Sequence, residues 1–109
     1  MTFIKVYCHD ANIDNMVKIK TSQLHVCRIC GTDYSNENYY PWGIDGDCPT
    51  HDICDCCGVE FGYEDQHYRA IINYRDTWIK NGANWFSPEM MPEGWAVDEI
   101  YKSIPKPFL

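Results

Sequence analysis

The strongest structural signal in this chain is a repeated CxxCG motif, Cys27-Arg28-Ile29-Cys30-Gly31 and Cys54-Asp55-Cys56-Cys57-Gly58. Two residues between the cysteines form a tight turn, or knuckle, that aims both sulfurs at one point, and the glycine permits the positive φ at which the chain turns back. One knuckle provides two ligands, whereas structural Zn²⁺ takes four in a tetrahedron. With 23 residues between the two cysteine pairs, the repeat predicts one zinc site with the ligands Cys27, Cys30, Cys54 and Cys57.

The second knuckle contains a third cysteine, Cys56, whose role is ambiguous. Spacing and the following Gly58 favour Cys54 and Cys57 as the ligands. On that geometry Cys56 sits at the tip of the turn and faces away, as a thiol outside the site, and a reactive or redox role for it stays open. For the repeat as a whole, a redox dithiol or incidental buried thiols are the alternatives to metal binding.

The remaining cysteines and histidines carry weaker signals. Cys8 and Cys48 are interpreted as ordinary small residues of the core or the surface. The stretch Cys48-Pro49-Thr50-His51 makes His51 an alternative ligand for a second or mixed site, against the simpler interpretation of a loop histidine. The other histidines show no ligand spacing and are predicted to be structural or solvent-facing: His9, His25 and His67.

Apolar residues around the knuckles alternate as they do in strands. Short β-like segments are predicted at Phe3 to Tyr7 and at Val17 to Lys20. Further strands are expected at 24–27, 32–34 and 59–63, on either side of the knuckles. The last of these should bring three alternate side chains to one face: Val59, Phe61 and Tyr63. Two knuckle-bearing hairpins that hold one metal ion are a zinc ribbon.

From Asp65 onward the apolar period changes from 2 to 3.6, which predicts a helix. Asp65 is the expected N-cap, and Asn81-Gly82 is the expected stop. The apolar face of this helix comprises Tyr68, Ile71, Ile72, Trp78 and Ile79. A second, short helix is predicted around 97–104, ended by Pro105, and Pro105-Lys106-Pro107 is expected to be a frayed tail.

A length of 109 residues is enough for one small domain and too short for two. We predict a single α+β domain over 1–109, with a poorly defined N-terminal segment at 1–24, a zinc-ribbon-like part at 25–63 and a helical part at 64–109. No apolar stretch is long enough to cross a bilayer, and Met1 to Asp10 lacks the apolar core of a signal peptide. We therefore expect a cytoplasmic protein with no membrane partner, in which the seven cysteines are reduced.

Charge is distributed unevenly along the chain. Lys and Arg number 9 against 16 Asp and Glu, for a net charge of −7, and no Lys or Arg lies between Arg28 and Arg69. A nucleic-acid backbone would be repelled by the acidic residues of this interval, so we expect no nucleic-acid partner. A basic protein partner is predicted, against the plainer interpretation of a solvated acidic surface. The acidic residues of the interval are Asp33, Glu37, Asp45, Asp47, Asp52, Asp55, Glu60, Glu64 and Asp65.

Catalytic signatures are absent from the sequence. It contains no deaminase arrangement of His-x-Glu before Pro-Cys-x-x-Cys, no His-Glu-x-x-His, no Walker loop, no Gly-x-Ser-x-Gly and no GxGxxG. Four cysteine ligands would also close the shell of a zinc ion and leave no position for water. We therefore expect a protein that is not an enzyme.

Several stretches between about Cys27 and Trp95 resemble the small bacterial proteins of the cysteine-rich CPCC family: Tyr40-Pro41-Trp42-Gly43, the segment 52–65, Tyr74-Arg75-x-x-Trp78 and Pro92-Glu93-Gly94-Trp95. Asp55 stands where that family has the proline of Cys-Pro-Cys-Cys, which weakens the preorganisation of the turn but removes no sulfur. The resemblance implies a zinc-ribbon-like protein of poorly defined function, with Cys27, Cys30, Cys54 and Cys57 as ligands. By analogy with toxin–immunity loci, it also suggests a toxin-neutralising immunity protein.

The cysteine pattern is similar to that of a rubredoxin as well. Cys27-x-x-Cys30-Gly31-x-x-Tyr34 followed by the second knuckle carries this likeness, in which four cysteines hold iron. A shorter separation between knuckles and the long helical part count against it. The predicted function is therefore a zinc-binding, non-enzymatic protein–protein interaction module, and the alternative is an iron electron carrier.

Overall fold

A computed structural model of the protein describes residues 2–109, so that Met1, the first residue of the predicted segment 1–24, lies outside the described residues. The chain begins with a β-hairpin of strands β1 (Phe3–Tyr7) and β2 (Met16–Lys20), which pair antiparallel with Val6 opposite Val17. Alternate residues of a strand share a face, and here that face is buried through Val6, Val17 and Ile19. Both predicted β segments are confirmed.

The strands expected beside the knuckles contract to single β-bridges. Val26 pairs with Asp33 across the first knuckle, and Ile53 pairs with Glu60 across the second. Residues Thr21–His25 instead form a 3₁₀ turn. After Glu60 the chain turns at Gly62, whose φ of 99° suits a residue without a side chain. The small α+β fold is thus confirmed, whereas a zinc-ribbon-like architecture is not.

The loss of the strand at 59–63 changes the face that sequence analysis assigned to it. Val59 and Phe61 are buried, but Tyr63 is 67% exposed because the turn at Gly62 interrupts the alternation. The expectation that all three share one face was therefore wrong for Tyr63.

Helix α1 spans Tyr68–Lys80 and ends before Asn81 and Gly82, as predicted. The predicted N-cap was wrong, since His67 occupies that position and its side chain makes no capping hydrogen bond. Asp65 is instead fully buried. Its carboxylate accepts the Gly62 N–H at 2.6 Å and the Trp42 indole N–H at 2.8 Å, so its side chain is committed to the loop before the helix.

Helix α2 spans Ile100–Ser103 and follows a 3₁₀ turn at Val97–Glu99, which confirms the predicted short helix before Pro105. The residues after it are not a frayed tail. Lys106–Phe108 form another 3₁₀ turn, and Phe108 is buried with its ring centroid 4.7 Å from the Arg28 guanidinium carbon. Burial of the Phe108 ring and the hydrogen bond from Arg75 Nη2 to the Phe108 carbonyl, at 2.7 Å, hold this segment in place. Within residues 2–109 no helix is long and apolar enough to span a membrane.

A buried polar cluster joins the hairpin side to the knuckles. The Arg28 guanidinium carbon lies 3.9 Å from the centroid of the Trp42 ring. Burial lowers the pKa of Arg28 to about 10, and the charge of Asp65 opposes this effect, so the guanidinium stays charged at neutral pH. Burial also raises the pKa of Asp65, against the hydrogen bonds from Trp42 and Gly62. The contacts among this cation, indole and carboxylate thus offset the free-energy cost of burying the three groups.

Candidate metal centre

The two knuckles bring four buried sulfur atoms together. All four lie within 4.8 Å of one another, with 3.8 Å between Sγ of Cys27 and Cys57 and 3.7 Å between Sγ of Cys30 and Cys54. A tetrahedral ion with Zn–S bonds of about 2.3 Å separates its sulfur ligands by about 3.8 Å. The cluster therefore fits one tetrahedral metal ion, and these four cysteines could hold it.

Each knuckle is formed by the same pair of backbone hydrogen bonds. In the first, Gly31 N–H donates to the Cys27 carbonyl at 3.0 Å, and Cys27 N–H donates to Thr32 at 2.9 Å. In the second, Gly58 N–H donates to Cys54 at 3.0 Å, and Cys54 N–H donates to Val59 at 2.9 Å. Both glycines have φ near the left-handed region, at 77° and 79°, which explains why glycine follows each cysteine pair.

Helix α1 holds both knuckles by their main chains. The Tyr74 hydroxyl donates to the Cys57 carbonyl at 2.8 Å. Arg75 donates through Nε to Ile29 at 2.6 Å and through Nη2 to Arg28 at 2.8 Å, and these two carbonyls belong to the turn of the first knuckle. Two consecutive helix residues therefore fix the position of one knuckle relative to the other.

Two hydroxyl groups lie at the sulfur atoms. The Tyr34 hydroxyl is 3.2 Å from Cys54 Sγ, and the Thr32 hydroxyl is 3.1 Å from Cys30 Sγ. The Tyr34 oxygen also accepts the Asp55 N–H at 3.1 Å, which leaves its own proton for the sulfur. Such outer hydrogen bonds orient ligands and stabilise their thiolate form.

The four thiols do not ionise independently, because their sulfur atoms all lie within 4.8 Å of one another. Burial raises the pKa of Cys27 and of Cys57 well above the ordinary thiol value. Burial also acts to raise the pKa of Cys30, but hydrogen bonds from the neighbouring cysteines outweigh it and lower that pKa. Without a metal ion, Cys30 is thus the cysteine that ionises most readily, while Cys27 and Cys57 keep their protons. Binding of a metal ion would displace those protons.

Two buried arginines are placed to offset the charge of an occupied site. A divalent ion with four thiolates carries a net charge of about −2. Arg28 and Arg75 are both 3% exposed, and both interact electrostatically with Cys27. No role was predicted for Arg28. Its position between Cys27 and Cys30 is the sequence feature that could have indicated a role beside the sulfur atoms.

The third cysteine of the second knuckle is Cys56, which was predicted to sit at the tip of the turn and to face away, outside the site. It is fully buried, beside Cys30 and Thr32, and the proximity of Cys30 together with burial raises its pKa. The segment after α1 covers the knuckle, because Phe86 N–H donates to the Cys56 carbonyl at 3.0 Å. Cys56 remains outside the four-sulfur group.

The other predicted residues separate into buried and exposed ones. Cys8 is buried, whereas Cys48 and His51 are exposed, and neither of these two joins a group of three or more potential ligands in the described part of the chain. His51 Nδ1 lies 3.5 Å from a carboxylate oxygen of Glu60 instead. A second group was not predicted: ligand atoms of His9, Asp10 and His67 lie within 4.8 Å of one another. No spacing signal could have found it, since His67 is far from the other two in sequence.

Fold and site together define a small α+β protein with a buried four-cysteine cluster. Over 86 aligned residues the chain is 36% identical to the uncharacterized protein YozI of Bacillus subtilis (strain 168), covering 65% of this chain and 69% of YozI. It is also 36% identical over 58 residues to the uncharacterized protein YoaQ of the same organism, covering 40% of this chain and 49% of YoaQ. The chain belongs to the family of YozI.

No family model matches the chain, so the resemblance to the CPCC family is not confirmed. No solved structure matches it either.

Proposed function

We propose that this protein is a non-enzymatic, zinc-stabilised interaction module with a zinc-ribbon-like arrangement of knuckles, which binds a basic segment of another protein. The observation that carries the proposal is an acidic and aromatic groove beside the metal centre, with a cavity volume of about 320 Å³. Its lining contains no basic residue and comprises Tyr34, Glu37, Tyr39, Asp52, Ile53, Asp55, Phe61 and Met90.

The composition of this groove suits a Lys or Arg side chain. Three aromatic rings pack on one another, with 5.4 Å between the centroids of Tyr34 and Tyr39 and 6.3 Å from each of these to Phe61. Exposed carboxylates of Glu37 and Asp52 stand beside them. Aromatic faces and carboxylates both attract a cation, so the pocket offers cation–π contact together with charge pairing.

The metal centre would support the groove and take no part in chemistry. Tyr34 joins the two, because its ring lines the groove while its hydroxyl contacts Cys54 Sγ. Asp52 is held in place by the Tyr39 hydroxyl, whose pKa burial and this carboxylate raise to about 12. Four cysteine ligands leave a zinc ion no open position, which favours a structural role.

A toxin-neutralising immunity protein is the biological role that this binding mode fits. Toxins that attack nucleic acid need basic surfaces for their substrates, and an acidic module could cover such a surface. The partner class that we propose is therefore a basic protein.

The groove is tested with a fluorescent Lys- and Arg-rich peptide as the probe, by fluorescence anisotropy at moderate salt. Glu37→Lys combined with Asp52→Lys should abolish measurable binding. The matched control combines Glu93→Lys with Asp98→Lys, two exposed carboxylates outside the groove, for the same change in net charge. Equal loss in both double variants would mean that net charge alone attracts the peptide, and would reject the groove as the binding site.

An iron electron carrier is the second candidate, because hydroxyl groups at the sulfurs of Cys30 and Cys54 would also influence a reduction potential. Colour and elemental analysis of the purified protein distinguish the iron electron carrier from the zinc-stabilised module. We expect a colourless protein with about one zinc per chain. A red protein that contains iron and bleaches on reduction would favour the electron carrier.

A further inference from the structure

We propose that His9, Asp10 and His67 form a second metal site, separate from the four cysteines, for a divalent transition-metal ion such as Zn²⁺, Ni²⁺ or Cu²⁺. Their ligand atoms all lie within 4.8 Å of one another. His9 Nε2 is 3.5 Å from one oxygen of Asp10, and His67 Nδ1 is 3.8 Å from the other. The imidazole rings meet edge to face, with their centroids 4.3 Å apart.

These distances suit a shared ion better than direct hydrogen bonds. An N–H···O hydrogen bond spans about 2.7–3.2 Å, so both imidazole–carboxylate contacts are too long for one. Two ligands bound tetrahedrally to Zn²⁺, at about 2.0–2.2 Å each, stand about 3.4 Å apart. Small side-chain rotations would therefore bring both nitrogens and a carboxylate oxygen onto one ion.

The backbone holds the two histidines side by side. His9 N–H donates to Gln66 at 2.7 Å, and Tyr68 N–H donates to the His9 carbonyl at 3.0 Å. These two hydrogen bonds join the end of the β-hairpin to the start of α1 and place His9 opposite His67. Main-chain pairing thus holds together the two backbone segments that carry the imidazoles.

Asp10 and Tyr7 complete the site. Asp10 has φ of 61°, an unfavourable conformation for a residue with a side chain, and its N–H donates to the Asn15 side chain at 3.0 Å. The Tyr7 hydroxyl is 3.2 Å from His9 Nδ1. With the Nδ1 proton donated to that oxygen, the Nε2 lone pair is presented to the ion, as in other metal-bound histidines.

Solvent can reach the site. The side chains of His9, Asp10 and His67 are 37%, 70% and 46% exposed. An ion held by these three ligands would keep positions for water and would exchange more readily than an ion among the buried cysteines. Two imidazoles and a carboxylate prefer borderline ions, which defines the ligand class.

The experiment starts with the protein already loaded with one zinc ion per chain. Zn²⁺ alone is then titrated in a buffer that does not chelate, and heat and bound zinc are measured. We expect a second, weaker equivalent to bind. His67→Gln and Asp10→Asn should each weaken it by about tenfold or more, since losing a ligand costs no less than losing an outer partner.

His51→Gln is the matched control, because His51 is an exposed histidine that lies 3.5 Å from a carboxylate oxygen of Glu60. It should leave the second equivalent unchanged. The proposal would be overturned if His51→Gln lost the second zinc equivalent while His67→Gln and Asp10→Asn retained it. It would also be overturned if the unmodified protein bound no second equivalent up to millimolar Zn²⁺.

A measurement on the unmodified protein covers the case in which a variant does not fold. Substoichiometric Cu²⁺ should broaden the imidazole NMR signals of His9 and His67 and spare those of His25 and His51. Equal broadening of all four would show only adventitious binding and would contradict the site.

Discussion

Arg75 shows how much one side chain contributes to the position of the candidate metal-binding knuckles. Its guanidinium donates to three main-chain carbonyls, those of Ile29, Arg28 and Phe108, at 2.6 to 2.8 Å. Burial lowers the pKa of Arg75, yet an arginine stays charged at neutral pH. Its planar fork can reach carbonyls on two separate segments, which a lysine ammonium cannot do with the same geometry.

Replacing Arg75 by Met should lower the free energy of unfolding by about 3 kcal/mol or more, because buried carbonyls would lose donors from a charged group. Arg69→Met, on the exposed side of the same helix, should change it by less than about 0.5 kcal/mol. Urea unfolding of the metal-loaded proteins measures both. Equal losses would mean that the hydrogen bonds of Arg75 contribute nothing beyond those of a surface arginine.

Cysteine variants test the ligand assignment one residue at a time. Cys30→Ser and Cys57→Ser should lose zinc and much of their stability, since metal binding in such sites is coupled to folding. Cys48→Ser, at an exposed position, should retain one zinc per chain with unchanged stability. Elemental analysis and thermal unfolding are the measurements. Comparable zinc loss in Cys48→Ser would show that the ligands are misassigned.

Cys56→Ser should also keep the zinc, because Cys56 lies outside the four-sulfur group. The substitution should nevertheless lower the free energy of unfolding by about 1–3 kcal/mol, since a hydroxyl would replace a thiol at a fully buried position. Loss of zinc in this variant, with retention of zinc in Cys57→Ser or Cys54→Ser, would show that Cys56 is a ligand in place of Cys57 or Cys54.

At the scale of elements, α1 and the knuckles depend on one another. The helix offers Tyr74 and Arg75 to knuckle carbonyls, and the knuckles give its buried face a surface to pack on. A helix of 13 residues is marginal in isolation, so its stability must come from these tertiary contacts. A metal ion that ordered the knuckles would therefore also stabilise α1, through the carbonyls that Tyr74 and Arg75 contact.

Removal of the metal by a chelator should reduce helical circular dichroism as well as disorder the knuckles. Acid should act in the same direction: burial raises the pKa of Cys27 and of Cys57, so protons compete strongly for these thiolates as the pH falls. Hydrogen exchange of α1 amides, with and without chelator, measures the coupling. Unchanged protection of α1 in the metal-free protein would show that the helix is independent of the site.

At the scale of the whole molecule, the charge distribution would govern association with the basic partner that we propose. The net charge is −7, no Lys or Arg lies between Arg28 and Arg69, and Glu37 and Asp52 of this interval line the groove. Asp45 and Asp47, which belong to the same interval of the chain, are exposed. Charges of this kind accelerate encounters with a basic partner and are screened by salt over a Debye length of about 10 Å at 0.1 M.

Once a basic protein partner is identified, its association rate with this protein should fall as the salt concentration rises. The double variant Asp45→Lys with Asp47→Lys should lower the rate further without unfolding the protein. Stopped-flow fluorescence measures the rate. Indifference to both salt and charge reversal would contradict the acidic-surface mechanism. Tight binding of DNA or RNA at physiological salt would contradict the whole class of function.

Local features of this protein are determined by its sequence alone. The turn of each knuckle needs only its cysteine pair and Gly31 or Gly58, because its hydrogen bonds join residues five or fewer positions apart. The periodicity of α1 and of the hairpin strands likewise reflects which face each element buries. The strand after the second knuckle was not predictable in extent, since Gly62 and the Asp65 carboxylate turn the chain before a ladder can grow.

Only the tertiary structure decided the rest, because the contacts join residues that are distant in sequence. Burial of Cys56 depends on the segment after α1, and the place of Phe108 depends on the cation of Arg28. The pairing of His9 with His67 arises where the hairpin meets α1, through main-chain hydrogen bonds that leave no pattern in the residues themselves. Periodicity and spacing describe neighbours along the chain, whereas these features follow from how separate elements pack.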